Sequence, residues 1–405
     1  MDNSFDVVVV GGGMVGATLA ACLAQANLHV AIVEAAEPPA PRMQNFPALR
    51  VSALSIASQN TLHSIGAWSL LQDAGMCPYT RMLVWEGEDD QGTLFDSADI
   101  AETHLGHIVE NDKIQIAAVE RFKALGGTWL CPQELESFRL GSSGAELTLT
   151  DGKQLSTALL VAADGGRSKV REMANIPSEV KRYDQHALVA TVRTNLPQQD
   201  ITWQRFVPSG PQAMLPLEGH HASIVWYNSP QEIQRLKALD DAAFLEELLH
   251  TFPDRLGGIE EILERGSFPL VMSHAREYVK PGLALVGDAA HSIHPLAGQG
   301  VNIGLLDAAA LAEVIFDAQR AGRAIGSASV LGRYQRWRRG DNAIMLQAMD
   351  SIQQVFSWDQ SEVAALRRGA LGLADQLGPA KAMVSRYAMG LQGDLPKLAR
   401  GASLL

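Results

Sequence analysis

The sequence predicts an α/β fold in which a doubly wound sheet is assembled from three separated segments, with an antiparallel sheet inserted between them and helices closing the chain. Three observations carry this. Val7 to Val10 is a β-branched run without alternation, as in a strand buried on both faces, and it opens onto Gly11-Gly12-Gly13-Met14-Val15-Gly16. Two further runs of this kind end in acid–glycine pairs: Leu159 to Ala163 before Asp164-Gly165, and Leu283 to Val286 before Gly287-Asp288. Residues 187–227 instead alternate between apolar and polar, the period of an antiparallel sheet.

The elements follow in order. Residues 5–34 read as strand, tight turn, helix (Met14 to Gln25) and second strand (His29 to Val33). Pro38, Pro39, Pro41 and Pro47 then forbid regular structure, and Ser55 to Gly66 reads as a helix. Short strands at Arg81–Glu86 and Gly92–Phe95 precede a helix from Asn111 to Leu125. Glu146–Thr150 and Gln154–Leu155 flank Asp151-Gly152, a hairpin turn signal. The alternating strands are Ala187–Arg193, Trp203–Val207, Ala213–Leu217 and Ala222–Trp226, followed by helices at Ala242–His250 and Val301–Asp317. From Tyr334 onward the periodicity is helical, with one stripe at Ile344, Ala348, Ile352 and Val355 and another at Val363, Leu366, Ala370, Leu373 and Leu377. The expected division is a nucleotide-binding domain of residues 1–74, 106–180 and 270–340, a β-sheet substrate domain of 75–105 and 181–269, and a helical region of 341–405.

Composition bounds the function. At 405 residues, 47% of them apolar and 19% charged, two soluble domains are the default. The longest helix-like apolar stretch, Val301 to Phe316, is broken by Asp307 and Glu313, short of the ~18 residues a membrane span needs. A first strand near Phe5 leaves no room for a signal peptide, so a cytoplasmic location is expected. Cys22, Cys77 and Cys131 form no CxxC and read as packing residues, not as a zinc site or redox disulfide. A net charge of −12 argues against nucleic acid. Residues 333–405 nevertheless hold ten Lys/Arg against six Asp/Glu, either solvated helix faces or a surface turned to a membrane or partner.

Gly11-x-Gly13-x-x-Gly16 between strand and helix is the Rossmann-like phosphate loop: a tight turn, a backbone bare enough to approach a pyrophosphate, and a close helix–strand contact. Glu34, at the end of the second strand, suits a ribose 2′-OH and would repel a 2′-phosphate. These residues bind a dinucleotide without separating FAD from NAD. Asp288 at a strand's carboxyl end suits a polyol such as a ribityl chain, or else a helix cap. Pro295-x-x-Gly298-Gln299-Gly300, leading into Val301 and Asn302, lets a flat ring lie on bare backbone at a helix N-terminus. Asp164-Gly165, with Arg167, Ser168 and Arg171, reads as a further contact or as an Asx turn.

Together these motifs resemble the single-component flavin aromatic hydroxylases, the family of para-hydroxybenzoate hydroxylase. The stretch His294-Pro295-Leu296-Ala297-Gly298-Gln299-Gly300-Val301-Asn302-Ile303-Gly304 is similar to the signature of the ubiquinone-biosynthesis branch, as are Arg50-Val51-Ser52-Ala53 and Val109-Glu110-Asn111. The likeness runs from residue 5 to about residue 391. Within the branch, Pro78-Tyr79-x-Arg81, Thr202-Trp203-Gln204, Gly210-Pro211 and Val225-Trp226-Tyr227-x-Ser229-Pro230 look most like the members that hydroxylate the demethoxyubiquinol intermediate.

The resemblance implies a bound FAD touched by Arg50 and Asn111, with Asp164 between the paths of FAD and NAD(P)H. The second glycine of Asp164-Gly165-Gly166 departs from the pattern and leaves the NAD(P)H contacts open. It implies reduction by NAD(P)H, a flavin C4a-hydroperoxide formed with O2, and transfer of OH to a polyprenylated phenol or quinol. No metal and no catalytic side chain are then needed; His291 and His294 are candidates for a base or for shaping the loop. Phe206, Met214, Leu215, Pro216, Trp226 and Tyr227 are the candidate lining for the substrate, against plain core packing. A biosynthetic complex or a peripheral contact with the inner face of the cell membrane is the implied partner. A flavin reductase or halogenase, a non-catalytic FAD-binding subunit and an NAD dehydrogenase are the alternatives.

Overall fold

The computed structural model describes residues 3–39, 45–87, 92–141, 144–294, 298, 300–358, 367 and 378–404. Five parallel strands lie side by side in the order Thr128–Leu130, Val30–Val33, Ser4–Val10, Gln154–Ala162 and Leu283–Leu285. Numbered along the chain they run 3-2-1-4-5, the doubly wound order. The order reverses between Ser4–Val10 and Gln154–Ala162, whose ends Val10 and Ala162 are directly paired. The loops that leave these two strands therefore open onto one crevice, where such sheets bind ligands.

Val7, Val8 and Val9 are wholly buried, as their unbroken apolar run requires, under the helices Met14–Gln25, Asn111–Ala124 and Gly300–Arg320. Two glycines bring strand, loop and helix into contact. A methyl at Gly11 (φ +105°) would lie 2.3 Å from the Ala163 carbonyl oxygen, and one at Gly16 would lie 2.0 Å from that of Gly11.

The second sheet runs His291–Ser292, Ile259–Ala275, Ser178–Thr194, His221–Asn228, Gly210–Leu217, Ile201–Val207, Arg81–Glu86, Gly92–Asp96. All its neighbours are antiparallel except one: Ile201–Val207 runs parallel to Arg81–Glu86. Local alternation does not encode this join, because strand direction depends on the long crossover between the two segments. Leu188, Ala190, Trp203, Met214, Ile224 and Trp226 point to one face and are buried beneath the helices Pro230–Ala238 and Asp241–Thr251. Residues of opposite parity face the first sheet.

Ile259–Ala275 was not expected from the sequence: Glu260, Glu261, Glu264 and Arg265 interrupt any alternation, and its pairing along Ser178–Thr194 holds it extended. The helix Ala328–Ser357 buries Leu331, Tyr334, Arg338, Asn342 and Leu346 and turns its Ile344–Ala348–Ile352–Val355 stripe outward, with Ile344 63% exposed. The stripe from Val363 to Leu377 lies outside the described residues. No described helix is long and apolar enough to cross a membrane.

Gly16→Ala should cost about 1–3 kcal/mol, because the new methyl meets backbone that cannot turn aside. Thermal unfolding reads this as a lowered Tm.

Candidate active site

A cavity of about 530 Å³ lies between the two sheets. On the side of the parallel sheet its wall includes Gly13, Ala163, Gly165, Asp288, Gly298, Gly300 and Val301, so the three motifs, far apart in sequence, meet there. Arg50 and Asn111 line it too. On the opposite side Met82, Thr202, Leu215, Val225, Tyr227 and Phe268 contribute.

The residues fit an FAD. No atom lies within 4 Å of the position a Cβ would take on Gly13, and the helix Met14–Gln25 begins beside that space, a cradle for a diphosphate. Glu34 accepts a hydrogen bond from the Gly12 N–H at 2.5 Å and from that of Ala36 at 3.2 Å, so it also fastens the loop. Asn111 opens the helix Asn111–Ala124, and its Oδ1 accepts from Ser52 Oγ at 2.7 Å. The Arg50 guanidinium sits 4.6 Å from the centre of the Phe268 ring. Asp164 accepts from the Val170 N–H at 3.1 Å through Oδ2, while its Oδ1 is buried without a partner. Arg171 donates to the carbonyls of Gly166 and Ala289 at 2.9 and 2.7 Å, tying the second motif to the third.

Asp288 is exposed only in the sense that it faces the cavity. Burial raises its carboxyl above the ordinary value, opposed by His291 and Arg50. Behind it stands Asp307, which is wholly buried. One oxygen accepts from the Gly287 N–H at 3.2 Å and lies 2.5 Å from His291 Nε2; the other accepts from Arg338 Nε at 2.9 Å and Asn342 Nδ2 at 3.0 Å. Burial alone would raise the Asp307 carboxyl, but His291 and Arg338 outweigh it and hold it below the ordinary range. His291 is thus bound into the scaffold rather than turned to the cavity.

His294 is wholly buried, and neither ring nitrogen has a hydrogen-bond partner. Its ring centre lies 4.8 Å from that of Tyr183 and 5.7 Å from that of Tyr227. Burial pulls its pKa down to about 4, with Asp350 opposing and Lys181 adding to the shift, so the ring is neutral at pH 7. The Asn302 side chain is buried, accepting from Ser55 N–H (3.0 Å) and Ser58 Oγ (2.7 Å) and donating one N–H to the Ala53 carbonyl (2.8 Å). Its side chain is thereby turned to the segment 53–58. Pro295 and Gln299 lie outside the described residues. Burial pushes the thiols of Cys22 and Cys77 up to about 12, so neither is a nucleophile at neutral pH.

The expected substrate lining divides by strand parity. Leu215 and Tyr227 reach the cavity. Met214 and Trp226 do not: each is one residue out of phase and packs under the helices on the far face, and Pro216 shares the parity of Met214. Phe206 stacks on Phe356, with centroids 4.1 Å apart, outside the cavity wall. Sequence reading missed Phe268 and Leu270, which come from the unexpected strand Ile259–Ala275, and Ala388 and Met389 from the helix region near the C-terminus. Residue parity along Ile201–Val207 was the available signal for Thr202.

The chain matches the model of a family described as FAD binding domain over residues 4–345. It is 40% identical over 387 residues to the 3-demethoxyubiquinol 3-hydroxylase of Escherichia coli (strain K12), covering 95% of this chain and 98% of that protein. It is 33% identical over 440 residues to the mitochondrial ubiquinone biosynthesis monooxygenase COQ6 of Homo sapiens, covering 96% and 93%. Among solved structures, p-nitrophenol 4-monooxygenase PnpA from Pseudomonas putida superposes with a TM-score of 0.81 at 18% identity, covering 97% of this chain and 100% of that one, a likeness of fold.

Asp307→Asn should destabilise the protein by about 3–5 kcal/mol, because the buried Arg338 loses its buried counter-charge and keeps only the half-exposed Asp341 at 3.3 Å. The stabilisation from Asp307 is full above the ordinary carboxylate pKa and is lost as pH falls through its lower folded value. His294 acts in the same direction at higher pH. Between the ordinary histidine value and about 4 the unfolded chain binds a proton that the folded ring refuses, so stability falls as pH drops through that window. His294→Gln should flatten the pH dependence of the unfolding free energy there by up to one proton, read from denaturant titrations at each pH.

Proposed function

Because the chain belongs to the FAD binding domain family and is an FAD-dependent monooxygenase, we propose that it hydroxylates the ring of a polyprenylated quinol in ubiquinone biosynthesis, at the demethoxyubiquinol step. The cavity carries this reading: polar backbone and the Asp288 carboxylate on one wall, apolar side chains on the other, and room for a ring between them. The 40% identity to a hydroxylase of that name supports the step.

In this reading Gly11, Gly13 and Gly16 hold the diphosphate and Glu34 the adenosine ribose. Asp288 receives the ribityl hydroxyls, and Arg50, Asn111, Gly298 and the backbone of Gly300, Val301 and Asn302 at the helix start hold the ring. Asp164 borders the path of NAD(P)H. When bound, FAD would supply the redox chemistry: electrons from NAD(P)H would activate O2, one atom of which enters the substrate ring while the other leaves as water. The residues of this chain bind, orient and exclude water. Met82, Leu215, Val225 and Phe268 hold an aromatic ring against the cofactor face and keep the space dry. The Asp307 network keeps the loop of Asp288 in place.

A polyprenyl tail is dissolved in a membrane, and we place this protein in the cytoplasm at the inner face of the cell membrane. The outward Ile344, Ile352, Val355 and Trp358, with the basic surplus of residues 333–405, support a peripheral contact with anionic lipid.

The test is aerobic turnover of a short-chain demethoxyubiquinol with NAD(P)H and 18O2. The expected product gains one hydroxyl carrying 18O. Product formed without oxygen, a chloride-dependent product, or NAD(P)H oxidation that leaves the ring unchanged overturns the proposal.

A further inference from the structure

We propose that the Thr202 hydroxyl hydrogen-bonds an oxygen substituent of the substrate ring and so selects for rings that carry it; this rests on the reading of the cavity as a quinol site. Thr202 lies on the strand Ile201–Val207 and is 5% exposed. The strand alternates: Ile201 and Trp203 pack in the core under the helices of the far face, although Trp203 also borders the cavity. Thr202 takes the opposite parity, directly paired with Met82, and lines the cavity. Its Oγ1 is buried and has no hydrogen-bond partner. Among the described residues lining the cavity, no other side chain has a buried polar atom left unpartnered.

A hydroxyl in that position is costly unless something pairs with it. The backbone groups of the strand are taken by the ladder to Arg81–Glu86 on one side and Gly210–Leu217 on the other. Around Thr202 the same face carries Met82, Leu215 and Val225, and the polar Gln204 and Ser223 that also line the cavity make no hydrogen bond to its hydroxyl. Valine would fill the space without the penalty. The partner that restores the balance comes from the cavity, and a hydroxyl, being donor and acceptor together, pairs with a ring OH, carbonyl or methoxy oxygen. A buried group built to pair with a ligand oxygen discriminates strongly against the ligand that lacks it.

The experiment uses the FAD-loaded protein in its oxidised state, without reductant, and follows the flavin absorbance as 2-prenylphenol or prenylbenzene is added. The wild type should bind the phenol about tenfold or more tightly than the deoxy compound. Thr202→Val should weaken the phenol to the level of prenylbenzene and leave prenylbenzene, FAD content and Tm unchanged, while Thr202→Ser should keep the preference. Equal weakening of both compounds by Thr202→Val, or no change in either, overturns the role of Thr202 alone. A wild type that binds neither compound overturns the quinol reading of the cavity and this inference with it.

Discussion

The structure depends on one buried carboxylate. Asp307 is 0% exposed, and its two oxygens meet four partners drawn from two other pieces of chain: Gly287 and His291 from the loop at the cavity, and Arg338 and Asn342 from the helix Ala328–Ser357. Buried charge is tolerable only when paired and fully hydrogen-bonded, and here it is. The same ion therefore does two things. It locks the helix Gly300–Arg320 to its neighbour, and it holds the turn from which Asp288 faces the cavity. Tyr334 adds a bond from its hydroxyl to the Leu285 carbonyl at 2.8 Å, so the strand leading into that turn is held as well.

Around this anchor the two sheets divide the chemistry. The parallel sheet ends in glycines and carboxylates because backbone must approach a charged, hydroxyl-rich ligand. The second sheet presents apolar residues such as Met82, Leu215, Val225 and Phe268, the dry wall that the proposed aromatic substrate would need. Alternation lets one strand serve two environments: Met214 and Trp226 fill the core beneath two helices, while Leu215 and Tyr227 beside them face the cavity. Asn302 and His291 show the same economy at the polar wall, since their side chains brace the backbone that faces the ligand.

Much of this was legible in the residues. The unbroken Val7–Val10 run, the glycine spacing after it and the two later acid–glycine pairs are local patterns with local physical causes, and the structure brings all three to one cavity. Less was legible where a residue's role is set by a distant partner. The charged segment Ile259–Ala275 is a strand because Ser178–Thr194 pairs with it, and the cavity thereby acquires Phe268 and Leu270. Among the six residues expected to line the substrate site, parity separates Leu215 and Tyr227, which reach it, from Met214, Pro216 and Trp226, whereas Phe206 shares the parity of Thr202 and instead stacks on Phe356.

Sequence by itself determined the fold class, the doubly wound nucleotide unit and the residue types at its crevice, since steric freedom at glycine, burial of apolar runs and strand period act over a few residues. Tertiary structure alone decided which face each strand turns to the cavity, that Ile201–Val207 runs parallel to Arg81–Glu86, and that Asp307 rather than Asp288 carries the buried charge network. Those outcomes depend on contacts between segments tens to hundreds of residues apart, and no local pattern records which partner a strand face or a carboxylate will meet.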